Sequence, residues 1–376
     1  MSDLFSKETL EKYSANTPFF LFSINEIKKN YYEFQENFPD ANIFYAMKAN
    51  SEYEVLKTLN ELGSGFEVAS VYELRMLKDL GVSPDKIIYG TSIKPSASIK
   101  EFYEYGVRVF ASDSPSEIEK IAEVAPGSKV YIRERVNDTD SVFKFSEKFG
   151  TDHSGIVSLL SKARDLGLIP YGISFHVGSQ SSNPMAWAHA LLNLQDVLEQ
   201  LRINNINIEI INLGGGFPCT YASSEKDISL KEISINTFDA YSKLKYKPKL
   251  ILEPGRGMIA CSGILVTTII ARIERNGYQW LFLDAGVYNA LFESMAYQGS
   301  TRYKVSALKE SSEIIEEILF SLAGPTGDGP DVITREALLP QDLEVGDKLA
   351  IHNVGAYSIV VTSRFNGFPR PEVHFI

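Results

Sequence analysis

From about Phe20 to Met258 the chain repeats one unit: a short β-rich apolar run, then a stretch with helical periodicity. The runs are 43–47, 66–69, 86–89, 108–111, 129–133, 171–176, 208–213 and 249–252. Helical patterns fill the gaps, as at 71–77 and at 185–201, where leucines recur. A run that is apolar throughout suits a strand covered on both faces, as in a parallel sheet. About eight such units is the count at which parallel strands close into a barrel. The expected fold class is α/β: a parallel (β/α)8 barrel with a second, mostly antiparallel β domain. After Met258 the helical patterns thin out, and 263–276, 279–284, 348–352, 357–362 and 372–376 read as strands of that second domain. The run 19–23 is expected to join them, because the barrel's first strand is already placed. The expected boundaries are 1–24 for an N-terminal part of the β domain, 25–262 for the barrel and 263–376 for the C-terminal β domain.

In a βα barrel the chemistry gathers where strands end, and every unusual segment of this chain falls there. Lys48 follows the first strand. A lysine at the end of an apolar strand must reach a partner or lose its charge, and a neutral amine is a nucleophile towards aldehydes. A structural salt bridge or a side chain snorkelling to water is the alternative. Gly214, Gly215 and Gly216 follow the seventh strand, where barrel phosphate sites recur. Without Cβ atoms, their N–H groups can approach an anion closely; a tight turn explains the same glycines. Gly255 and Arg256 on the next loop add a guanidinium fork suited to phosphate. Glu253, just before them, needs a cationic partner if buried. A protonated pyridine nitrogen would serve, or Glu253 and Arg256 simply pair with each other or with neighbours. His176, after the sixth strand, carries a flat ring that can stack on a cofactor, or it is a satisfied core histidine; the nearby Gly178 and Ser179 favour a site. Lysine for an aldehyde, carboxylate for a ring nitrogen and glycines for a phosphate together describe pyridoxal 5'-phosphate.

Composition removes other classes. A net charge of -11 argues against nucleic acid and anionic membrane partners. Two cysteines give no disulfide framework, which fits a reducing compartment. The N-terminal residues lack a signal-peptide core and no apolar run reaches membrane-spanning length, so a cytoplasmic location is expected.

The segments Tyr45-Ala46-Met47-Lys48, Glu67-Val68-Ala69-Ser70, His176-Val177-Gly178-Ser179, Gly214-Gly215-Gly216-Phe217, Glu253-Pro254-Gly255-Arg256, Gly324-Pro325-Thr326-Gly327-Asp328-Gly329, Gly355-Ala356-Tyr357 and Phe365-Asn366-Gly367-Phe368 occur in this order. With them the chain resembles the fold-type III pyridoxal-phosphate decarboxylases of the ornithine, arginine and diaminopimelate decarboxylase family, over nearly its whole length. The resemblance implies that Lys48 holds the cofactor's aldehyde, Glu253 binds the pyridine nitrogen and His176 stacks on the ring. It implies that Ser179, Gly214, Gly215, Gly216, Gly255, Arg256 and Tyr357 belong to the cofactor site, most of them at the phosphate. Glu67 and Arg133 would support lysine and cofactor from behind. Family members are head-to-tail homodimers with shared active sites, so Asp328 is expected to reach the partner's site.

Two departures bear on the small-molecule amino-acid substrate. The family usually carries cysteine, viewed as a proton donor, where this chain has Gly327. Ornithine decarboxylases place an aspartate for the distal amine at a position that falls near Tyr297, with Arg302 close behind. Both departures suggest an amino-acid moiety on a larger or acidic molecule, as in polyamine, siderophore or natural-product biosynthesis. The alternative is an ornithine or lysine decarboxylase making a diamine. An alanine-racemase-like enzyme is disfavoured by Glu253 and the 324–329 segment, and an inactive regulatory homologue by retention of Lys48, His176, Glu253 and Arg256.

Overall fold

In the computed structural model, which describes residues 5, 10, 13, 16–221, 228–297, 303–309 and 315–376, the chain divides into two units. One comprises Met1–Ile27, Cys219–Asp227 and Ile259–Ile376, and the other Lys28–Pro218 and Ile228–Met258. The stretch from Cys219, inside the expected barrel boundaries, therefore groups with the β unit.

Strand β1 (Phe19–Phe22) belongs to that β unit. The barrel begins with β2 (Ala41–Ala46), β3 (Gly65–Val68), β4 (Ile87–Tyr89), β5 (Val109–Ser112) and β6 (Lys129–Arg133). A short β7 (Ser141–Phe143) leaves it, β8 (Ile169–Ser174) returns, and β9 (Ser179–Ser181) pairs antiparallel with β7. β10 (Ile210–Asn212) and β11 (Lys249–Leu252) complete the ring. The closed order is β10-β11-β2-β3-β4-β5-β6-β8, and every pairing in it is parallel. All eight expected barrel strands are present. Every residue of β3, β4 and β10 is buried, as strands covered on both faces require. Ala111, Tyr131, Ile210 and Ile251 form one core cluster of this unit. The expected helix at 185–201 is two helices, Ala186–Asn193 and Gln195–Ile203; Leu194 between them, with ψ of -10°, interrupts the helical ladder.

The β unit is built on β12 (Gly263–Arg275), which runs antiparallel to β1 and β13 (Tyr278–Leu283). β14 (Val305–Ala307), β15 (Glu317–Ala323), β16 (Val332–Pro340), β17 (Lys348–His352) and β18 (Glu372–Phe375) complete it. The β13–β15 and β1–β18 pairs are parallel and the others antiparallel. Strand periodicity gives β1 two jobs. Phe20 and Phe22 join Leu265, Leu281 and Leu283 in one core, while Phe19 and Leu21 join Ile264 and Val266 in another. One expected strand is corrected: 357–362 is not extended. Tyr357 sits in the left-handed region at φ 52°, which ends any strand, and Ile359–Val361 forms a 3-10 turn. No described helix is long and apolar enough to cross a membrane.

Candidate active site

Six barrel strands bring polar side chains to their C-terminal ends. Lys48 lies on the 3-10 turn Met47–Ala49 directly after β2. Its Nζ pairs with Glu67 Oε2 at 3.1 Å, and its side chain is 42% exposed while that of Glu67 is 4% exposed. Of the two outcomes expected for this lysine, the structure shows it reaching a partner: the side chain is part-exposed and its amine meets a buried carboxylate. Gly90, just past β4, makes room for that partner. A Cβ there would lie 2.6 Å from Glu67 Cγ and 2.7 Å from its Cδ. Glu73 closes the first turn of helix Val71–Asp79, its Oε2 accepting from Ala69 N at 2.6 Å while Ser70 Oγ accepts from Glu73 N at 3.3 Å. Burial raises Glu73 to about 7; Glu67 adds to the rise and Lys48 opposes it.

Glu253 follows β11. Asn212 Nδ2, from the end of β10, donates to its Oε1 at 2.5 Å. Burial raises Glu253 to about 7, Glu67 adds like-charge repulsion, and Lys48, Asn212 and Arg133 oppose the rise. Arg133, at the end of β6, lies over the Phe149 ring with Cζ 5.1 Å from its centroid. Tyr131, two residues earlier, buries a hydroxyl that has no partner among the described residues. His176 follows β8. Its Nδ1 accepts from Gly178 N at 3.0 Å, so a neutral ring carries its hydrogen on Nε2. Burial, with Arg133 and Lys48 nearby, pulls its pKa well below the ordinary value, so it is neutral at pH 7. Phe145 meets the imidazole edge-on at 4.9 Å and 88°.

The loop after β10 is turned by Gly214 at φ 65° and Gly216 at φ 95°, a conformation open to glycine. All three glycine carbonyls are taken. Glu253 N donates to Gly214 O at 2.8 Å, Trp187 Nε1 to Gly215 O at 3.2 Å, and Ser181 N to Gly216 O at 3.1 Å. The N–H groups of Gly215, Gly216 and Phe217 have no partner among the described residues. Successive unpaired N–H groups form a concavity that takes an anion. Arg256, buried at the start of helix Arg256–Ile259 after Gly255, donates from Nε to Ser179 Oγ at 3.3 Å and lies over the Phe143 ring. Among the described residues, Glu253 and Arg256 do not pair with each other. The residues fit pyridoxal phosphate: an amine beside a carboxylate, a buried acid lacking a cationic hydrogen-bond partner, and an N–H cradle. Among the described residues no group of three or more His, Cys, Asp or Glu could hold a metal.

The remaining expected positions lie in the β unit. Tyr357 keeps its left-handed backbone. Gly327 is exposed and Asp328 half-buried in the turn between β15 and β16. Asp328 accepts a hydrogen bond from Tyr288 Oη. The turn is organised by buried Asp331, which accepts from Val287 N at 2.8 Å, Thr326 N at 3.0 Å and Thr326 Oγ1 at 2.6 Å. Tyr297 ends the 3-10 segment Phe292–Tyr297, and Arg302 lies outside the described residues. Sequence reasoning missed Asn212, Glu73, Trp187 and Asp331. The Ser70-Val71-Tyr72-Glu73 capping pattern was a readable signal for Glu73; nothing local marked the others.

The description "pyridoxal-dependent decarboxylase, pyridoxal binding domain" matches residues 24–260. The chain is 34% identical to a lysine/ornithine decarboxylase of Selenomonas ruminantium, over 94% of this chain and 88% of that one. It is 30% identical to the ornithine decarboxylase of Rattus norvegicus, over 95% and 80%. The crystal structure of lysine decarboxylase from Selenomonas ruminantium superposes with a TM-score of 0.90 at 33% identity, covering 100% of this chain and 96% of that one.

Proposed function

The chain belongs to the pyridoxal-dependent amino-acid decarboxylases, and from this premise we propose that it removes the α-carboxylate of ornithine or lysine to make a diamine. The observation that carries the chemistry is the meeting of Lys48–Glu67, Glu253 and the N–H cradle at one end of the barrel. The diamino-acid substrate is supported by the relatives named above and displaces the larger-or-acidic substrate as the leading reading.

Pyridoxal phosphate, when bound, supplies an aldehyde for the substrate amine and a ring that takes up the electron pair left behind by carbon dioxide. Lys48 Nζ would hold the cofactor's aldehyde and, once carbon dioxide has left, would be placed to return a proton to the α-carbon; Glu67 keeps that amine in place. Glu253, oriented by Asn212, would face the pyridine nitrogen and share a proton with it. A pyridinium facing it would supply the positive charge that buried Glu253 lacks, favouring the ionised carboxylate and the proton on the ring nitrogen. Neutral His176 would pack against the ring without adding charge, with Arg133 behind it. The N–H groups of Gly215, Gly216 and Phe217, with Ser179 and Arg256, would take the phosphate. We also propose a homodimer in which Asp328 completes the partner's site.

Release of carbon dioxide from ornithine and lysine, with mass spectrometry of the amine products, tests the substrate. Turnover of neither, with turnover of an acidic or conjugated amino acid, overturns the diamine reading. That second reading has its own support: a Cβ at Gly327 would meet nothing within 4 Å, so packing of the β unit does not demand a glycine there.

A further inference from the structure

We propose that Trp187 is a positioning residue for the phosphate end of the site, acting through its indole N–H on Gly215. The inference rests on the phosphate role given above to the loop after β10. Trp187 is fully buried in helix Ala186–Asn193 and stacks on Phe217 at 4.9 Å with 17° between the rings. Packing alone would be served by any large ring. What packing does not require is the hydrogen bond from Nε1 to Gly215 O at 3.2 Å.

That bond decides where an N–H points. In a planar trans peptide the carbonyl and the following N–H face opposite ways. Fixing Gly215 O on Trp187 aims the Gly216 N–H away from the indole. Glu253 N does the same for the Gly215 N–H by holding Gly214 O, and Ser181 N for the Phe217 N–H by holding Gly216 O. Two of these three anchors are backbone groups of neighbouring segments, which no side-chain change short of proline removes. Trp187 supplies the only side-chain anchor among them. Both flanking glycines, at φ 65° and 95°, leave the peptide free to turn if that anchor is lost. The Gly215 carbonyl would then be buried without a partner, or the peptide would rotate to find one and carry the Gly216 N–H out of the cradle.

The test measures dissociation constants of pyridoxal 5'-phosphate and of pyridoxal, which lacks the phosphate, on the full-length protein stripped of cofactor. Trp187→Phe keeps a ring against Phe217 and deletes the donor. Benzothienylalanine introduced at position 187 keeps the whole bicycle and replaces only N–H by sulfur. Both variants are expected to bind pyridoxal phosphate about tenfold more weakly, with pyridoxal affinity changed less than about twofold. Equal weakening for both ligands, or no weakening, overturns the positioning role. Should Trp187→Phe fail to fold, the benzothienyl variant decides by the same ratio. Should the unmodified protein bind both ligands equally, the phosphate role of the loop itself falls, an outcome distinct from failure of the Trp187 proposal.

Discussion

Glu253→Gln separates a catalytic acid from a structural one by two measurements that a merely packed residue would not move together. The amide keeps the size of the carboxyl group and can still accept from Asn212 Nδ2, so the fold is expected to survive. It cannot share a proton with a pyridine nitrogen. Deleting one preorganised electrostatic partner at a reacting centre costs about 2.7–4 kcal/mol of barrier, or roughly 10²–10³ in turnover. Carbon dioxide release at saturating substrate reads that loss, while cofactor absorbance confirms occupancy.

The second measurement uses the pH dependence of cofactor-free protein. Glu253 titrates at about 7 in the fold against 4.5 as an ordinary glutamate, because burial and Glu67 oppose its charge. Between those values the folded chain holds a proton that the unfolded chain has released. Stability therefore falls as pH rises from about 4.5 through about 7, by about 3 kcal/mol if the whole difference is expressed. For a unit of this size that is about 6 °C in Tm. Glu73 and Glu134 also stand at about 7 and titrate in the same window, so the comparison must be with the variant rather than with zero. The Tm-against-pH curve of Glu253→Gln should be shallower than that of the unmodified protein by that amount between pH 5 and 8. Parallel curves with unchanged turnover would refute both the buried-charge account and the ring-nitrogen role.

Gly90→Ala is expected to push Glu67 off Lys48, since the new Cβ overlaps its side chain. Overpacking of this kind costs about 1–3 kcal/mol, read as a lowered Tm together with a fall in turnover of about tenfold; unchanged turnover would show that the Lys48–Glu67 pair is dispensable. Gly327→Cys meets open space and should leave Tm within about 1 °C. Its kinetics divide the two substrate readings: a raised KM for the true substrate marks a large ligand crossing that space, and no change favours a small diamino acid. On the proposed shared-site homodimer, mixing inactive Lys48→Ala and Asp328→Ala chains should restore part of the activity, because a mixed dimer would regain one intact site. No recovery, with subunit exchange verified by differently tagged chains, places both residues in the same chain's site.

The barrel was legible because its strands are buried on both faces, so each run reads as continuous apolar sequence. The β unit was legible only where strands alternate or run long. β14 has three residues of intermediate burial, and β15 begins with a mixed Glu-Ile-Leu stretch, so neither offered a period to read. The 357–362 stretch misled for the opposite reason. Its apolar residues are those of a strand, but a left-handed Tyr357 is a tertiary choice that composition does not encode. At the site, residues whose chemistry is unusual for their place could be named from sequence: a lysine and a glutamate at barrel-strand ends, and three glycines in a row. Asn212, Trp187 and Asp331 could not. Each acts on a backbone or carboxyl group far away in sequence, and an ordinary Asn, Trp or Asp carries no mark of that partner.

The arrangement also favours one orientation for a cofactor with opposite charges at its two ends. Glu67, Glu73 and Glu253 lie near the ends of β3 and β11 with Lys48 and Arg133 beside them, three carboxyl groups to two cationic ones, and burial raises Glu73 and Glu253 to about 7. That excess of acid favours a cation and repels a phosphate. The opposite preference is built on the loop after β10 and the helix start at Arg256, from three N–H groups without a partner among the described residues and a guanidinium. A molecule with a protonatable ring nitrogen at one end and a phosphate at the other gains at both places in one orientation and loses at both in the other. On this account the acids set the direction of binding as well as the electronics of the ring. Removing Glu253 should then weaken discrimination between ring-nitrogen-bearing and carbocyclic cofactor analogues, while leaving their phosphate-dependent affinity intact.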